Sequence, residues 1–456
     1  MPKVRDSTGD HKGARGLTAR QLAETLAATA RGLTHDAPSR AAFVASMEMA
    51  RYVRAIRKEG VMSQRRKRVV RRVAAFLGAL FVVAIGFIVV SGWKAFGHRA
   101  EGVRLARMQA SPQWKNGHFV NPEPLWDDWW GMIVGLVHAS PYTSPKVEMP
   151  TARVDPRSFD APPATGLRVT WLGHASNLVE IDGHRLLTDP MWSDRASPIS
   201  WTGPRRWYPP LVALADLPRI DAVVVSHDHH DHLDYPTMVA MKDRDTRFIV
   251  PLGVGAHLAY WGVPESKIVE LDWWDEVMIG DLKIVATPAR HASGRTLWDR
   301  DAKLWAGYAF VGREHRVYYS GDTGLFPGMR EIGAKLGPFD ATIIDTGQYH
   351  RSWPDWHGGP EQAVTAHQAV RGRVMLPVHW GLFTLAYHGW TEPAERVVIA
   401  AERAGIDLVS PMPGQSVEPL APPARSRWWP TVPWETAAQA PIRSTLVDDT
   451  LAGRLE

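Results

Sequence analysis

The stretch SHDHHDHLD, Ser226–Asp234, places four histidines and three aspartates in nine positions. A solvated charged loop is ordinarily built from Lys and Glu. Imidazoles crowded against carboxylates are instead the donor set of a metal site. The preceding run DAVVVS (Asp221–Ser226) is β-branched and apolar, which predicts a buried strand delivering the chain into the histidines. The helical spacing HExxH is absent, so the donors are expected on a loop at a strand end. In such a loop, side chains one or two positions apart can face two different metal positions.

Three later segments repeat the pattern. LKIVATPARH ends at His291, HRVYYSGDTG carries Asp322, and RVMLPVHWG carries His379, each after an apolar strand-like run. One histidine after a strand means little. Together with His227, His229, Asp231 and His232 these residues make seven nitrogen or oxygen donors, enough for two metals sharing one carboxylate. The chain has no cysteine, which excludes disulfides, thiolate metal sites and a cysteine nucleophile.

The 456 residues exceed one typical domain, and the formal charge of +5 is unevenly spread. Basic residues concentrate between Arg54 and Arg72, a pattern that alone would fit nucleic acid. The adjoining residues argue otherwise. VAAFLGALFVVAIGFIVV (Val73–Val90) is eighteen residues without a charge. It predicts a single transmembrane helix over 73–93, with Trp93 at the interface. The upstream basic excess places the N-terminus in the cytoplasm and the donor-bearing main domain on the outer face, periplasmic or extracellular. The expected organisation is a helical basic region 1–72, with helical patterns over Leu17–Leu33 and Ala41–Ile56. After it come the anchor 73–93, a connecting region 94–150, the main domain 151–420 and a Pro/Trp-rich tail 421–456. In the connecting region, WDDWWGMIVGLV (Trp126–Val137) is too short to span a bilayer. It suits either a membrane interface or packing on the domain. Trp428, Trp429 and Trp434 of the tail are expected to dock on the domain or the membrane.

HxHxDH, then a distant His, GDTG and a final His, resembles the metallo-β-lactamase superfamily. VTWLGHAS (Val169–Ser176), LLTDPMWSDRASP (Leu186–Pro198), ELDWWDE (Glu270–Glu276), RTLWD (Arg295–Asp299) and PVHWGLF (Pro377–Phe383) resemble N-acyl-phosphatidylethanolamine-hydrolysing phospholipase D within it. The resemblance runs from about Glu148 to Pro419. It implies an α/β fold, the αβ/βα four-layer sandwich, here preceded by the transmembrane helix and the helical extension. It implies two Zn2+ per chain, with Mn2+ or another divalent metal as the alternative. His227, His229 and His291 would hold one metal and Asp231, His232 and His379 the other, with Asp322 bridging. Asp231 and His357 are the catalytic candidates, and His357 would contact phosphate or protonate the leaving group. Asp189 would support a ligand from behind, and His174 would be structural at the sheet edge. His230 and Tyr235 are expected to border the substrate, as is Asp345, which departs from the family pattern.

The activity implied is that of a phosphodiesterase on N-acyl-phosphatidylethanolamine-like phospholipids, through a hydroxide formed between the metals, with the bilayer as partner and no nucleic acid. The same donors would also serve a lactonase, esterase or nuclease, or a membrane-anchored metal-binding protein without turnover.

Overall fold

The computed structural model describes residues 51, 64–424 and 427–445. The two helical patterns expected within 17–56 lie outside these residues, Arg51 excepted. The chain divides after Gly86. Helix α1 (Gln64–Gly92) contains a 25-residue stretch, Arg68–Gly92, long and apolar enough to cross a membrane. At 1.5 Å per residue that stretch is about 37 Å long.

The region after it carries α2 (Gly102–Ala110), the short pair β1 (Trp114–Lys115) and β2 (His118–Phe119), and α3 (Trp129–Val137). Of the two roles its sequence allows, the structure shows α3 packed on the domain. Gly131 and Gly135, one turn apart, let its backbone lie against the domain. A Cβ at Gly135 would come within 2.6 Å of the Tyr387 ring. The opposite face leaves Trp129, Trp130, Ile133 and Leu136 exposed.

Two seven-stranded sheets make up the domain. The first is built from β3 (Leu167–Gly173), β4 (Ser176–Ile181), β5 (His184–Thr188), β6 (Ala222–Val224), β7 (Arg247–Pro251) and β8 (Ile268–Leu271). The second holds β9 (Glu276–Ile279), β10 (Leu282–Thr287), β11 (Gly307–Val311), β12 (Arg316–Tyr319), β13 (Phe339–Asp345), β14 (Gly372–Val378) and β15 (Asp407–Leu408). The last strand, β16 (Ser416–Val417), returns to pair with β3 in the first sheet. From β3 to β8 and from β9 to β15 the early strands pair antiparallel and the later ones parallel. Parallel pairing demands crossovers. Helices α4 (Tyr235–Met241) and α5 (Gly255–Tyr260) supply them in the first sheet. Helices α6 (Gly328–Leu336), α7 (Pro360–Ala369) and α8 (Glu392–Ala404) do so in the second.

The period-2 pattern of the strands sorts the core. Ala222 and Val224 of β6 and Ile249 of β7 pack in one cluster with Ile284, Tyr308, Phe310 and Ile343 of the other sheet. Their neighbours Val223, Phe248 and Val250 pack on the opposite face with Met238 and Met241 of α4 and Leu258 of α5. One face of the first sheet therefore meets the second sheet and the other meets helices.

The tail docks on the domain. Trp428 stacks on Trp380 with ring centroids 5.3 Å apart, and Trp380 stacks in turn on Trp171 at 5.4 Å. Trp429 is buried and its indole N–H donates to Glu395 Oε1 at 2.9 Å. Trp429→Ala removes that bond and opens a cavity. It is expected to cost about 3–5 kcal/mol, read as a lowered denaturation midpoint of the solubilised chain.

Candidate metal centre

All seven expected donors converge where the strands of both sheets end. Strand β6 stops at Val224, and the next residues turn back on themselves through the His232 and Leu233 N–H groups bonded to the His229 carbonyl. His291 comes four residues after β10, Asp322 three after β12 and His379 directly after β14. The turns are tight. His379, His174 and Asp189 all sit at positive φ, at 67°, 52° and 35°. Such backbone is disfavoured for side-chain-bearing residues and concentrates at functional sites. Gly321, at φ 57°, precedes Asp322, and a Cβ there would strike Ser226 at 2.6 Å.

The donor atoms form two groups. His229 Nδ1 lies 2.8 Å from His227 Nε2 and 3.3 Å from His291 Nε2. His232 Nε2 and His379 Nε2 stand 3.1 Å apart, with Asp231 Oδ2 at 3.4 and 3.6 Å from them. Asp322 Oδ2 is common to both groups. It lies 3.0 Å from His232, 3.1 Å from His379 and 3.8 Å from both His227 and His291. Ligand nitrogens around a tetrahedral zinc at about 2.0–2.1 Å would be roughly 3.3 Å apart. The nitrogen spacing therefore suits a small divalent cation in each group. The other carboxylate oxygen of Asp322 is buried without a hydrogen-bond partner, which is costly unless a cation completes it.

Electrostatics point the same way. Burial, reinforced at His227 by the imidazole of His232, pushes His227 and His291 well below the usual imidazole range, leaving neutral rings with free lone pairs. His232 and His379 are held well above that range. Burial opposes their charge, but Asp322 outweighs it, helped by Asp231 at His232 and by Asp345 at His379. Asp322 itself is held far below the carboxylate range, because those two imidazoles outweigh its burial. Protons on His232 and His379 thus provide positive charge that a dication would supply, and binding one must release them.

Behind the donors stand supporting groups. Asp189 is fully buried and accepts from the Ser226 N–H at 2.7 Å, the Ser226 hydroxyl and the Tyr319 hydroxyl, and it bonds His232 Nδ1 at 2.6 Å. His291 Nδ1 is held by the Trp356 carbonyl at 3.0 Å. His174 does more than brace the sheet edge. Its Nε2 is 2.9 Å from Asp231 Oδ2 and its ring centroid is 4.2 Å from that of His379.

Three placements differ from expectation. Asp345 is buried and does not border a substrate channel. Its Oδ2 holds His357 Nδ1 at 2.9 Å, and its Oδ1 lies 3.2 Å from His379 Nδ1, in ion-pair range though off hydrogen-bonding geometry. The charge sits at the end of β13, so in-register pairing with β14 carries it to His379. His230 and Tyr235 do not line the cavity over the donors either. His230 Nε2 meets the Arg295 carbonyl at 3.1 Å, and Tyr235 packs on Trp261 as α4 begins. His357 does reach the centre: its ring stacks on His379 at 4.9 Å, and its Nδ1 is 3.9 Å from Asp322.

The donors open into a cavity of about 270 Å³, with His229, Asp231, Asp322, His357 and His379 on its floor. Trp129 and Met132 of α3, with Trp353, Trp356 and Leu385, form an apolar wall. Asp127 and Arg300 face each other in an ion pair of 3.0 Å at its side. Sequence reasoning missed these wall residues because none belongs to a donor motif.

A model of the Beta-lactamase superfamily domain matches residues 184–380. An uncharacterised protein of Mycobacterium tuberculosis is 46% identical over 345 residues, covering 74% of this chain and 91% of the relative. The chain belongs to the metallo-β-lactamase superfamily. N-acyl-phosphatidylethanolamine-hydrolysing phospholipase D 1 of Caenorhabditis elegans is 39% identical over 233 residues, 48% of this chain and 65% of that one. The mitochondrial enzyme of the same name from Saccharomyces cerevisiae is 32% identical over 255 residues, 52% of each chain. Clustered donors on this fold make the chain a metal-dependent hydrolase.

Asp189→Asn leaves the fold's volume unchanged but replaces an acceptor with an amide at a carboxylate–imidazole contact. Metal affinity is expected to fall about 10–100-fold, measured by competition with a chromogenic chelator.

Proposed function

We propose that the chain is a membrane-anchored phosphodiesterase of the phospholipase D type, acting on N-acyl-phosphatidylethanolamine-like phospholipids. The observation that carries this reading is the 39% identity over 233 residues to the C. elegans enzyme of that name. The apolar wall of the cavity, which suits an acyl-bearing substrate, supports it.

In this reading the metals are two zinc ions, with Mn2+ or another divalent ion as the alternative. His227, His229 and His291 would hold one and Asp231, His232 and His379 the other, with Asp322 available to both groups. The donor set of imidazoles and carboxylates without thiolate suits such ions. Bound there, the metals supply Lewis-acid activation of water and neutralise phosphoryl charge.

The remaining chemistry belongs to the side chains. Asp345 bonds Nδ1 of His357, which leaves the other ring nitrogen for the cavity that the residue lines. Hydrolysis adds a water-derived hydroxyl to phosphorus and breaks the bond to the head-group oxygen. His357 delivers the proton that the departing alkoxide needs. Asp231, beside the same centre, is assigned to accept the proton lost by water. The apolar wall formed by α3 and Trp353 receives acyl chains and keeps bulk water from the phosphoryl group.

In the same reading α1 anchors the chain as a single-pass helix, its N-terminus cytoplasmic and the hydrolase domain 151–420 outside. A tether raises the local concentration of a bilayer-borne substrate without any further contact. The basic run beside the anchor then serves orientation, not nucleic acid.

The metal-replete full chain is expected to release N-acylethanolamine from N-acyl-phosphatidylethanolamine in mixed micelles. Chelation and Asp322→Asn should each abolish release. Turnover of a lactone panel with no phospholipid head-group release would overturn the assignment. For His357→Ala the expectation is separate: kcat falls about 10²–10⁴-fold while two metals per chain are retained by elemental analysis. Loss of metal in that variant would move His357 from proton donor to ligand support.

A further inference from the structure

A second cavity, of about 580 Å³, lies between the segment after α1 and the loop Thr296–Lys303. The metal donors do not line it. Its wall contains Lys303, whose residue is only 4% exposed. Among the described residues, the ammonium of Lys303 has no hydrogen bond and no ion pair within 4 Å. Arg99, at the exposed edge of the same cavity, has no ion pair either. Burial pulls the Lys303 amine down from its usual value, against the fields of Asp228, Asp299 and Glu270.

None of those three carboxylates pairs with either cation, and each takes other donors, although Asp299 stands in the lining of the same cavity. Asp299 Oδ1 takes the N–H groups of Arg295 and Thr296 and the Thr296 hydroxyl. Asp228 is bonded by His257 Nε2 at 3.1 Å and by the Gly294 N–H at 2.7 Å. Glu270 pairs with Arg104 at 2.7 Å and accepts from the Gly253 and Gly255 N–H groups. Lys303 is thus a nearly buried residue whose ammonium has no protein partner among the described residues and meets only the cavity. The walls that hold it are nevertheless well tied: the His98 N–H donates to His257 Nδ1 at 2.9 Å, and the Phe119 N–H donates to the Asp301 carbonyl at 2.8 Å. The cavity is therefore a built one with unanswered positive charge.

We propose that this cavity is an anion site separate from the metal centre, and that it takes a phosphate group between Lys303 and Arg99. A phosphate offers several acceptor oxygens and more than one negative charge, which matches an ammonium and a guanidinium in the lining of one cavity. Leu105, Met108, Trp114 and Trp298 give the lining an apolar part, beside polar residues that include Asp299. That surface accepts an alkyl substituent, so the phosphate comes from a lipid head group or from a soluble phosphate. Arg300 lines both cavities and sets its guanidinium 4.9 Å from the Trp356 ring, placing the second site directly beside the first.

The test is calorimetric titration of the full chain in neutral detergent with inorganic phosphate, dihexanoyl phosphatidic acid and dihexanoyl glycerol. Lys303→Met is expected to weaken phosphate-bearing ligands at least about tenfold, and Arg99→Gln to weaken them by less. The metal content of both variants should equal that of the wild type. Tighter binding of the phosphatidic acid assigns the site to a lipid head group, and equal binding of the two phosphates assigns it to soluble phosphate. Wild-type affinity for both phosphates in both variants overturns the proposal, as does equally tight binding of the uncharged glycerol lipid. Because Arg99 is exposed, its variant keeps the test decisive if Lys303→Met does not fold.

Discussion

The buried carboxyl group of Asp189 ties together the ends of three strands. It comes directly after β5, accepts from the backbone and hydroxyl of Ser226 two residues beyond β6, and accepts from Tyr319 at the end of β12 in the opposite sheet. Its remaining contact, 2.6 Å to His232 Nδ1, turns the other ring nitrogen of His232 toward Asp322 and His379. A carboxyl group with no exposed surface is sustained only by such a full set of partners. Removing any one partner would leave the others facing an unmet charge, so the packing of the two sheets and the orientation of the donor are one problem. Ordered metal ligands generally depend on a partner of this kind behind the ring.

The same logic runs through the second carboxyl group, Asp345. It lies at the end of β13 and reaches both His379 and His357, which come from different loops. Imidazoles and carboxylates alternate through the centre, and each holds its neighbour's charge state. A divalent metal bound at these donors would take over the positive charge that protons on His232 and His379 otherwise supply. The strained positions at His174, Asp189 and His379 fit this view, since backbone distortion persists where surrounding contacts over-determine the geometry.

Around this core, segments outside the sheets line the cavities. Helix α3 supplies the apolar wall of the donor cavity, and the segment Phe96–His118 closes the cationic one. Two glycines one turn apart let α3 approach the domain closely enough to serve as a wall through Trp129 and Met132, while Trp130, Ile133 and Leu136 stay exposed. The tail is bound through stacked tryptophans and so buttresses Trp380, the residue after His379.

Much was legible in order along the chain. The four strand runs that end in His227, His291, Asp322 and His379 could be read because β-branched apolar runs and donor residues are local signals. The apolar length of α1 is likewise a property of consecutive residues. Partnership is not. Asp345 looked like an added charge at a channel edge until parallel pairing of β13 with β14 brought it against His379. His230 looked like a substrate contact because it interrupts the motif, yet the turn after β6 directs it to the Arg295 carbonyl. Lys303 carried no signal at all, since an unpaired cation is defined by what fails to reach it. Residue type and order determined which chemistry this protein could hold. Only tertiary packing decided which donors face one another, because distances of about 3 Å between residues over a hundred positions apart are set by sheet register and loop strain.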